Sequence, residues 1–288
     1  MTMQQWWAHI PEHLNPDIFR FGSFQVRYYG LMYLFAFLTV YGLIMYRLKH
    51  EKLEYTKELI QTYFIYAILG VLIGGRFGYI IFYDWGYYSS HPLQIFLPFE
   101  FTNGFHYTGI SGMSFHGGLI GVIVGTLWFC KKYNVNFWRF TDLLASVIPL
   151  GYTFGRIGNF INGELYGRVT NAPWGMYFPL DPTHQLRHPS QLYEALFEGI
   201  FLFCVLWSLR KKKFFDGFLF SLYIIGYGTV RFVIEFFRQP DPQLGFVLGP
   251  FTMGQILCFG MILGGLGIFW FRKSRAKTID SNNRLKKK

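Results

Sequence analysis

One thirteen-residue segment of the chain, Gly155–Gly167, concentrates polar groups that could do chemistry within an otherwise apolar region. It contains an arginine, two asparagines and a glutamate within nine positions, and such groups beside an apolar span are costly unless paired or used. Arg156 and Asn159 are three positions apart and share one helix face, which we expect the glycines to keep open to a ligand. The structural alternative is that Arg156 reaches the outer headgroups, with asparagine and Glu164 as helix caps.

A second set of polar residues, Tyr227, Arg231, Glu235 and Arg238, lies along another apolar segment. Their offsets of 0, 4, 8 and 11 residues place all four within an arc of roughly 80° at about 100° per residue. Such a polar stripe should face the protein interior or a water-filled cavity. Two arginines against one glutamate leave a positive surplus that could hold one anionic group. The alternative is an ion-pair ladder that only neutralises itself.

Three further positions carry candidate residues. His116 lies at the start of an apolar run beside glycines, where an imidazole could accept a proton near neutral pH, although a structural role is the alternative. Tyr29 lies close to Arg27 at the start of another run and fits either a site or an ordinary aromatic belt. His188 precedes a further apolar run, and for it we favour a structural role.

These residues lie in a chain with the composition of a polytopic membrane protein. Of its 288 residues 52% are hydrophobic and only 15% charged, against about 25% charged in soluble domains. This composition excludes disorder, a collagen-like fibre and a disulfide-stapled secreted module, and three scattered cysteines give no metal pair. A membrane span needs about 20 mostly apolar residues. Seven stretches qualify, at residues 29–46, 59–83, 114–130, 141–160, 191–209, 217–234 and 250–271.

The positive charges predict how these spans are oriented. The loops after spans 1, 3 and 5 and the tail contain 19 of the 27 lysines and arginines, including all 13 lysines. These four segments follow spans 1, 3, 5 and 7 and therefore all lie on the same side of the membrane. We expect that side to be the cytoplasm, with the N-terminus outside and the C-terminus inside. Eight arginines remain at spans and outer loops, which suggests forked recognition of phosphate or carboxylate.

The sequence therefore predicts an all-α integral membrane protein with seven transmembrane helices and small outer-face loop segments. We expect a single polytopic catalytic domain at 1–271, with an interfacial segment at 1–28 and outer loops at about 84–113 and 161–190. Residues 272–288 form a basic cytoplasmic tail.

Glycines in spans 2 and 3 repeat at intervals of four residues. That spacing lets two helices approach closely, so we assign these glycines to helix packing and give them no cofactor role. The positions are Gly70, Gly74, Gly78, Gly117, Gly121 and Gly125.

The polar segments match the motifs of one known family. Gly155–Gly167 resembles the signature of the prolipoprotein diacylglyceryl transferases at every fixed position, and Ser114–Gly121 is similar to the family's second hallmark. Residues 231–241, the Arg27–Gly30 segment and the His188–Glu194 segment also fit. The resemblance runs from the start of span 1 to span 7 and does not include the basic tail.

The resemblance implies a bacterial plasma-membrane enzyme that moves the diacylglyceryl group of phosphatidylglycerol onto the thiol of the lipobox cysteine in a prolipoprotein. The products are a thioether-linked lipid and glycerol phosphate. The implied partners are phosphatidylglycerol, prolipoprotein signal peptides and the lipid bilayer. Nucleic acid, cofactors and metals are not implied, and we expect a monomer. The family's important positions are occupied by Tyr29, His116, Arg156, Asn159, Glu164, Gly167, Arg231, Glu235 and Arg238.

The residues are compatible with that chemistry. A leaving phosphate must be neutralised, which Arg156 and Arg231 could do electrostatically, and we predict Arg156 as the phosphate ligand. The expected substrate-binding residues are Tyr29, Arg156, Asn159, Glu164, Gly167, Tyr227, Glu235 and Arg238. The thiolate is the nucleophile, and a free thiol has a pKa of about 8.5, so the incoming cysteine must be activated. His116 is the candidate base, although the positive field of Arg231 could activate the thiol instead.

Two other functions compete with this one. Residues 109–112 read GISG, similar to the rhomboid protease motif, but Ser111 precedes span 3 and the later spans contain no histidine. A transporter or lipid-binding protein for an anionic solute could use the same arginines, although we find no internal repeat. Transfer of a labelled diacylglyceryl group to a lipobox peptide distinguishes the enzyme from both.

Overall fold

Helices make up most of the part of the chain that the structure, a computed structural model, describes. Two residues of the sequence motifs lie outside the described residues: Ser111 of the GISG segment and Asp241, the last residue of the 231–241 segment. The described residues are 2–21, 24–95, 99–100, 106–107, 112–212, 214–240 and 245–285.

The helices and strands of the described residues have the following bounds. The helices are α1 (Met3–Ala8), α2 (Ile10–His13), α3 (Tyr28–Glu51), α4 (Lys57–Tyr83), α5 (Trp85–Ser90), a 3₁₀ turn (Pro92–Ile95), α6 (Phe115–Lys132), α7 (Phe137–Ala145), α8 (Ile148–Ile161), α9 (Ser190–Tyr193), a π-helical segment (Glu194–Phe201), α10 (Leu202–Leu209), α11 (Phe218–Ile234) and α12 (Met253–Leu285). The strands form three antiparallel pairs, β1 (Asp17–Phe21) with β2 (Phe24–Arg27), β3 (Phe99–Glu100) with β4 (His106–Tyr107), and β5 (Phe246–Leu248) with β6 (Phe251–Thr252).

The chain divides into two compact units, which are described separately. The first unit combines Met1–Tyr46 with Trp138–Lys288, and the second is Arg47–Phe137. The first therefore contains α7, α8, α11 and α12, and the second contains α4 and α6. The single catalytic domain at 1–271 stays a prediction.

Long apolar helices confirm the prediction of a helical membrane protein. Among the described residues, four helices are long and apolar enough to cross a bilayer: Tyr28–Glu51, Lys57–Tyr83, Ser190–Leu209 and Met253–Thr278. They correspond to predicted spans 1, 2, 5 and 7. The helices of spans 3 and 6 are shorter, with 18 residues in α6 and 17 in α11. The number of seven spans and the orientation of the termini stay predictions.

The predicted span at 141–160 is not one continuous helix, because the structure divides it into α7 and α8 at residues 146–147. That this segment crosses the membrane stays a prediction. Pro149 explains the break, since proline has no N–H to donate to the carbonyl oxygen of Ala145 and fits the first turn of a new helix. The carboxylate of Asp142 in α7 accepts hydrogen bonds from the backbone N–H groups of Gly217 and Phe220, each at 2.8 Å. Thus α7 caps the beginning of α11.

In the second unit, α4 and α6 approach each other along their glycines, which confirms the packing prediction. A Cβ atom on Gly70 would lie 2.6 Å from the Gly121 carbonyl oxygen. One on Gly78 would lie 2.6 Å from the Gly117 Cα atom. Side chains at these positions would force the two backbones apart, so the four-residue repeat is required by the contact.

The N-terminal residues pack on the loop between α8 and α9, which the sequence predicts to be an outer loop. The Trp7 indole donates to the Trp174 carbonyl oxygen at 3.0 Å, and the Tyr177 N–H donates to the Ala8 carbonyl oxygen at 2.8 Å. The predicted interfacial segment at 1–28 is therefore built from α1, α2, β1 and β2, with its beginning fixed to this loop.

Gly121→Ala should destabilise the protein, because the new Cβ would lie 2.0 Å from the Gly70 carbonyl oxygen. Overpacking of this kind costs about 1–3 kcal/mol, so the melting temperature in detergent should fall by several degrees. Gly260→Ala in α12 is the matched control, since nothing lies within 4 Å of its added Cβ. Equal melting temperatures for the two variants would contradict a tight contact between α4 and α6.

Candidate functional site

The centre of the first unit is a buried carboxylate that joins two arginines from different helices. Glu194 is fully buried at the start of the π-helical segment. Its Oε2 atom lies 3.0 Å from Nη1 of Arg156 in α8, and its Oε1 atom lies 2.9 Å from Nη1 of Arg231 in α11. The two arginines on which the sequence places the phosphate chemistry are thus brought together through one glutamate.

A second buried glutamate, Glu198, lies one turn further along the π-helical segment. Its Oε1 atom is 3.6 Å from Nη1 of Arg231, and its Oε2 atom accepts a hydrogen bond from the Tyr152 hydroxyl. That hydroxyl is also 3.4 Å from Oε2 of Glu194. The Arg156 guanidinium lies 4.7 Å from the centre of the Tyr152 ring, a cation–π contact.

The π-helical geometry of Glu194–Phe201 coincides with a close contact to α8. A Cβ atom on Gly199 would lie 2.0 Å from Oγ1 of Thr153, so only glycine fits there. The Thr153 hydroxyl in turn is 3.4 Å from the carbonyl oxygen of Ala195. Widened turns of this kind are frequent at functional sites, and here the segment carries both buried glutamates.

The polar stripe continues the same network along α11 and into the turn after it, since α11 ends at Ile234. Arg231 Nη2 lies 3.2 Å from Oε2 of Glu235, which lies 3.8 Å from Nη1 of Arg238. The Thr252 hydroxyl donates to Glu235 at 3.2 Å. Tyr227 packs its ring against Tyr152, with ring centres 5.8 Å apart.

The predicted positive surplus of this stripe is wrong for the described residues. Counting the stripe alone gave two arginines against one glutamate, but Arg156 adds one arginine while Glu194 and Glu198 add two glutamates. The six-residue charge cluster therefore contains three arginines and three glutamates. Its members are Arg156, Arg231, Arg238, Glu194, Glu198 and Glu235.

The Asn159–Glu164 pair forms a second polar group at the end of α8. The Asn159 amide donates to Oε1 of Glu164 at 2.7 Å, and the Gln191 amide donates to the Glu164 carbonyl oxygen at 2.6 Å. Tyr29 belongs to the same group, because its hydroxyl interacts with the Asn159 side chain. A Cβ atom on Gly158 would lie 3.0 Å from the Tyr29 ring, so that glycine allows the approach of α3.

Gly167 lies where three segments of backbone meet. Its N–H donates to the His188 carbonyl oxygen at 2.8 Å, and a Cβ atom would lie 2.4 Å from the Phe237 carbonyl oxygen. Of the signature glycines, only Gly155 has open space around it, whereas Gly158 and Gly167 are in close contact. Glycine at 167 therefore permits close packing of the loop. The expectation that glycines keep the helix face of Arg156 and Asn159 open holds for Gly155 and does not hold for Gly158 or Gly167.

The outer loop has its own buried ion pair. Arg187 donates to both carboxylate oxygens of Asp181, at 2.7 and 2.9 Å. Burial alone would raise the pKa of the Asp181 carboxyl, but hydrogen bonds from Arg187 and Thr183 outweigh it and hold that pKa well below its usual range. Nearby, burial lowers the pKa of His188, which hydrogen-bonds the Tyr193 hydroxyl at 3.0 Å.

His116 belongs to the second unit, at the second position of α6. Its side chain is exposed, and its ring contacts that of Phe115 with centres 5.8 Å apart. The hydroxyl of Ser114 caps this helix by accepting from the Gly117 N–H at 3.3 Å. Its assignment as a base stays a prediction.

The sequence reasoning missed three residues of the site: Glu194, Glu198 and Tyr152. A signal for two of them was present, since glutamates four positions apart within the apolar run 191–209 should be as costly as an intramembrane arginine. Tyr152 carried no signal, because aromatic residues are abundant along the whole chain. Among the described residues, no group of three histidine, cysteine, aspartate or glutamate side chains could hold a metal ion.

Comparison with known proteins identifies the family. The model of the prolipoprotein diacylglyceryl transferase family matches residues 16–271. The chain belongs to the prolipoprotein diacylglyceryl transferase family. Its relatives include proteins named phosphatidylglycerol–prolipoprotein diacylglyceryl transferase from Chlorobaculum tepidum, 54% identical over 96% of both chains, and from Campylobacter curvus, 45% identical over 93% of this chain and 97% of the relative. A relative of the same name from Acinetobacter baumannii is 45% identical over 90% of this chain and 93% of its own.

Membership of the prolipoprotein diacylglyceryl transferase family makes this protein an enzyme, and it confirms the resemblance seen in the motifs. The matched region includes both polar groups of the first unit and the whole of the second unit. The charge cluster and the Asn159–Glu164 pair therefore lie within the region that matches the transferase family.

Asp181→Asn should destabilise the transferase at neutral pH by about 3 kcal/mol, because it removes the carboxylate that pairs with buried Arg187. The folded-state pKa of Asp181 lies below the unfolded value of about 3.9, so the pair stabilises the protein above about pH 4. This contribution is lost as the pH falls through the folded-state pKa. Melting curves of the wild type and the variant should be far apart at neutral pH and converge in acid.

Asp17→Asn is the matched control, because Asp17 pairs with Arg20 and Arg27, whose side chains are 60% and 58% exposed. Exposed pairs contribute at most about 1 kcal/mol, so this variant should stay close to the wild type. If Asp181→Asn differed from the wild type by a constant amount at every pH, the ionic origin of the effect would be excluded.

Proposed function

We propose that the protein transfers the diacylglyceryl group of phosphatidylglycerol to the thiol of the lipobox cysteine of a prolipoprotein. The sulfur forms a bond to the glycerol carbon, the carbon–oxygen bond to phosphate breaks, and glycerol phosphate leaves. The observation that carries this proposal is the pair Arg156 and Arg231, held together by buried Glu194 and still 18% and 13% exposed. Two guanidinium groups aimed at one region are suited to a phosphodiester.

Glu194 gives these arginines the arrangement that an oxyanion needs. Each of its two oxygens contacts a different guanidinium, as two oxygens of a phosphate would. The remaining N–H groups of Arg156 and Arg231 can then bind the lipid phosphate and stabilise the negative charge that grows on it as the carbon–oxygen bond breaks. Because the donors are already fixed and lie in a low-dielectric region, little reorganisation is needed during the reaction.

The acceptor thiol must also lose its proton. At an ordinary pKa of about 8.5 only a small fraction of a thiol is ionised near neutral pH. His116 could accept the proton, or the positive field of Arg231 could favour the thiolate directly. Asn159, Glu164, Tyr29 and Tyr227 would bind the polar part of the substrates, while Glu235 and Arg238 hold Arg231 in place.

We infer that the chain crosses a bacterial plasma membrane seven times as a monomer. The N-terminus would be outside, the tail at 272–288 in the cytoplasm, and the active site towards the outer leaflet. The alternation of the four lysine-containing segments supports this orientation, since positive loops stay in the cytoplasm. The lipobox segment of a prolipoprotein could approach the site from the same leaflet as the lipid.

Arg156→Ala and Arg231→Ala should each reduce transfer by at least about 100-fold, the scale on which loss of one oxyanion donor acts. Arg156→Lys should also be impaired, because an ammonium cannot present a planar fork to phosphate while it contacts Glu194. The assay uses purified protein in detergent, phosphatidylglycerol with a labelled diacylglyceryl group, and a lipobox peptide.

Arg20→Ala is the control for this assay, since its side chain is 60% exposed and it pairs only loosely with Asp17 at 3.6 Å. Near-normal transfer by either site variant would remove that arginine from the mechanism. Lipid binding by active wild-type preparations without any transfer to the peptide would favour an anionic-solute transporter instead.

His116→Gln tests how the thiol is activated. Glutamine keeps a hydrogen bond but cannot take the proton, so a base at this position predicts a drop in rate of about 100-fold or more. The loss should be partly rescued at higher pH, where more of the peptide thiol is ionised without help. Wild-type rates across the pH range would assign activation to the field of Arg231.

A further inference from the structure

The charge cluster of the first unit is balanced before any substrate arrives. Three arginines face three glutamates, so the formal charges sum to zero if all six groups are ionised. A lipid phosphodiester brings one more negative charge. An uncompensated charge in a membrane-spanning region is costly, so binding of the lipid should be accompanied by a compensating change elsewhere in the cluster.

Among the three glutamates, Glu198 is the one least stabilised as an anion. Glu194 lies at 3.0 and 2.9 Å from two different arginines, and Glu235 has two arginines and the Thr252 hydroxyl. Glu198 has one arginine, at 3.6 Å, and a hydrogen bond from the Tyr152 hydroxyl, and that arginine is shared with both other glutamates. Its side chain is fully buried, so water cannot replace the missing partner.

The titratable groups that interact with Glu198 lie in α8, α11, α12 and its own segment. From α8 they are Tyr152 and Arg156, from α11 Tyr223, Tyr227 and Arg231, from the turn after α11 Glu235 through Arg231, from α12 Cys258, and from its own segment Glu194. Arg231 is the cation in direct contact with Glu198 among the described residues of these elements. If the lipid phosphate draws that guanidinium towards itself, the Glu198 carboxylate loses its ion pair.

We propose that Glu198 takes up one proton when the phosphate of an anionic lipid binds to Arg156 and Arg231, so that the buried cluster stays electrically balanced. The inference rests on the proposed function, in which these arginines bind that phosphate. The proton comes from the solvent, and no bond to the lipid is formed or broken in this step.

The Tyr152 hydroxyl is placed to accommodate the new proton. It donates to Glu198 and lies 3.4 Å from Oε2 of Glu194, so it is within hydrogen-bond distance of both carboxylates. When Glu198 is protonated, its hydroxyl can donate to the Tyr152 oxygen, and the phenol hydrogen can turn to Glu194. Glu194 thereby gains a hydrogen bond at the moment when its arginines are shared with phosphate. Tyr152 and Glu198 are positioning residues in this scheme.

The number of protons taken up can be measured directly by titration calorimetry. Phosphatidylglycerol is titrated into the purified full-length protein without peptide, so that no turnover occurs, in buffers of different ionisation enthalpy. We expect the wild type to take up close to one proton per bound lipid in the alkaline part of the range from about pH 5.5 to about 8.5. There its Kd should rise by up to about tenfold per pH unit, the limit for one linked proton.

Glu198→Gln should bind phosphatidylglycerol without proton uptake and with a Kd that does not change with pH, because the neutral amide leaves the cluster with one positive charge in excess. At the alkaline end of the range it should bind the lipid at least tenfold more tightly than the wild type. Glu58→Gln is the matched control, since Glu58 is exposed in the first turn of α4, and it should keep the proton uptake of the wild type.

Two results would overturn the proposal. One is wild-type binding of phosphatidylglycerol with no proton exchange at any pH tested, which needs no variant to fold. The other is undiminished proton uptake by Glu198→Gln. Both leave the transferase function intact, whereas failure of the wild type to bind the lipid, or undiminished binding by Arg156→Ala, would count against the proposed function itself.

Discussion

Two largely buried arginines on different helices, Arg156 and Arg231, need an anion to balance their charge, and Glu194 supplies that anion in the first unit. Its contacts with Arg156 in α8 and Arg231 in α11 are both direct, at 3.0 and 2.9 Å. Removing one partner of a buried pair typically costs about 3–5 kcal/mol. The helices that carry these residues are therefore bound to one another by the same groups that we assign to the substrate.

The local backbone makes this arrangement possible. Pro149 ends the preceding turn and begins α8, so the helix that carries Arg156 is separate from α7. Gly199 allows the π-helical segment to approach Thr153 of α8 so closely that no side chain fits between them. A segment that could not come this near would leave Glu194 too far from Arg156. Helix geometry, a proline and a glycine thus act together to satisfy one electrostatic requirement.

The need to balance a charge in apolar surroundings also explains which parts of the site could be predicted from the sequence. Arg156 and Arg231 could be identified because a charge within an apolar run is costly unless it is paired or functional. The glycine repeats of spans 2 and 3 predicted a close helix contact, which is present. Glu194 and Glu198 were missed because the charges near Arg231 were counted along span 6 alone. Which span lies beside which depends on tertiary packing, and the spacing of residues along one helix does not contain it.

Four of the arginines outside the lysine-containing segments show two different uses. Arg187 binds Asp181 within the outer loop, and Arg168 donates to the Arg238 carbonyl oxygen at 2.9 Å. A loop with little regular structure leaves backbone carbonyls and carboxylates to be satisfied, and a guanidinium with five donors can satisfy several at once. Such arginines hold the loop against the end of α11 through hydrogen bonds to protein groups. Arg156 and Arg231, by contrast, contact carboxylates with one part of the guanidinium and keep another part exposed, which is the condition for binding a second anion.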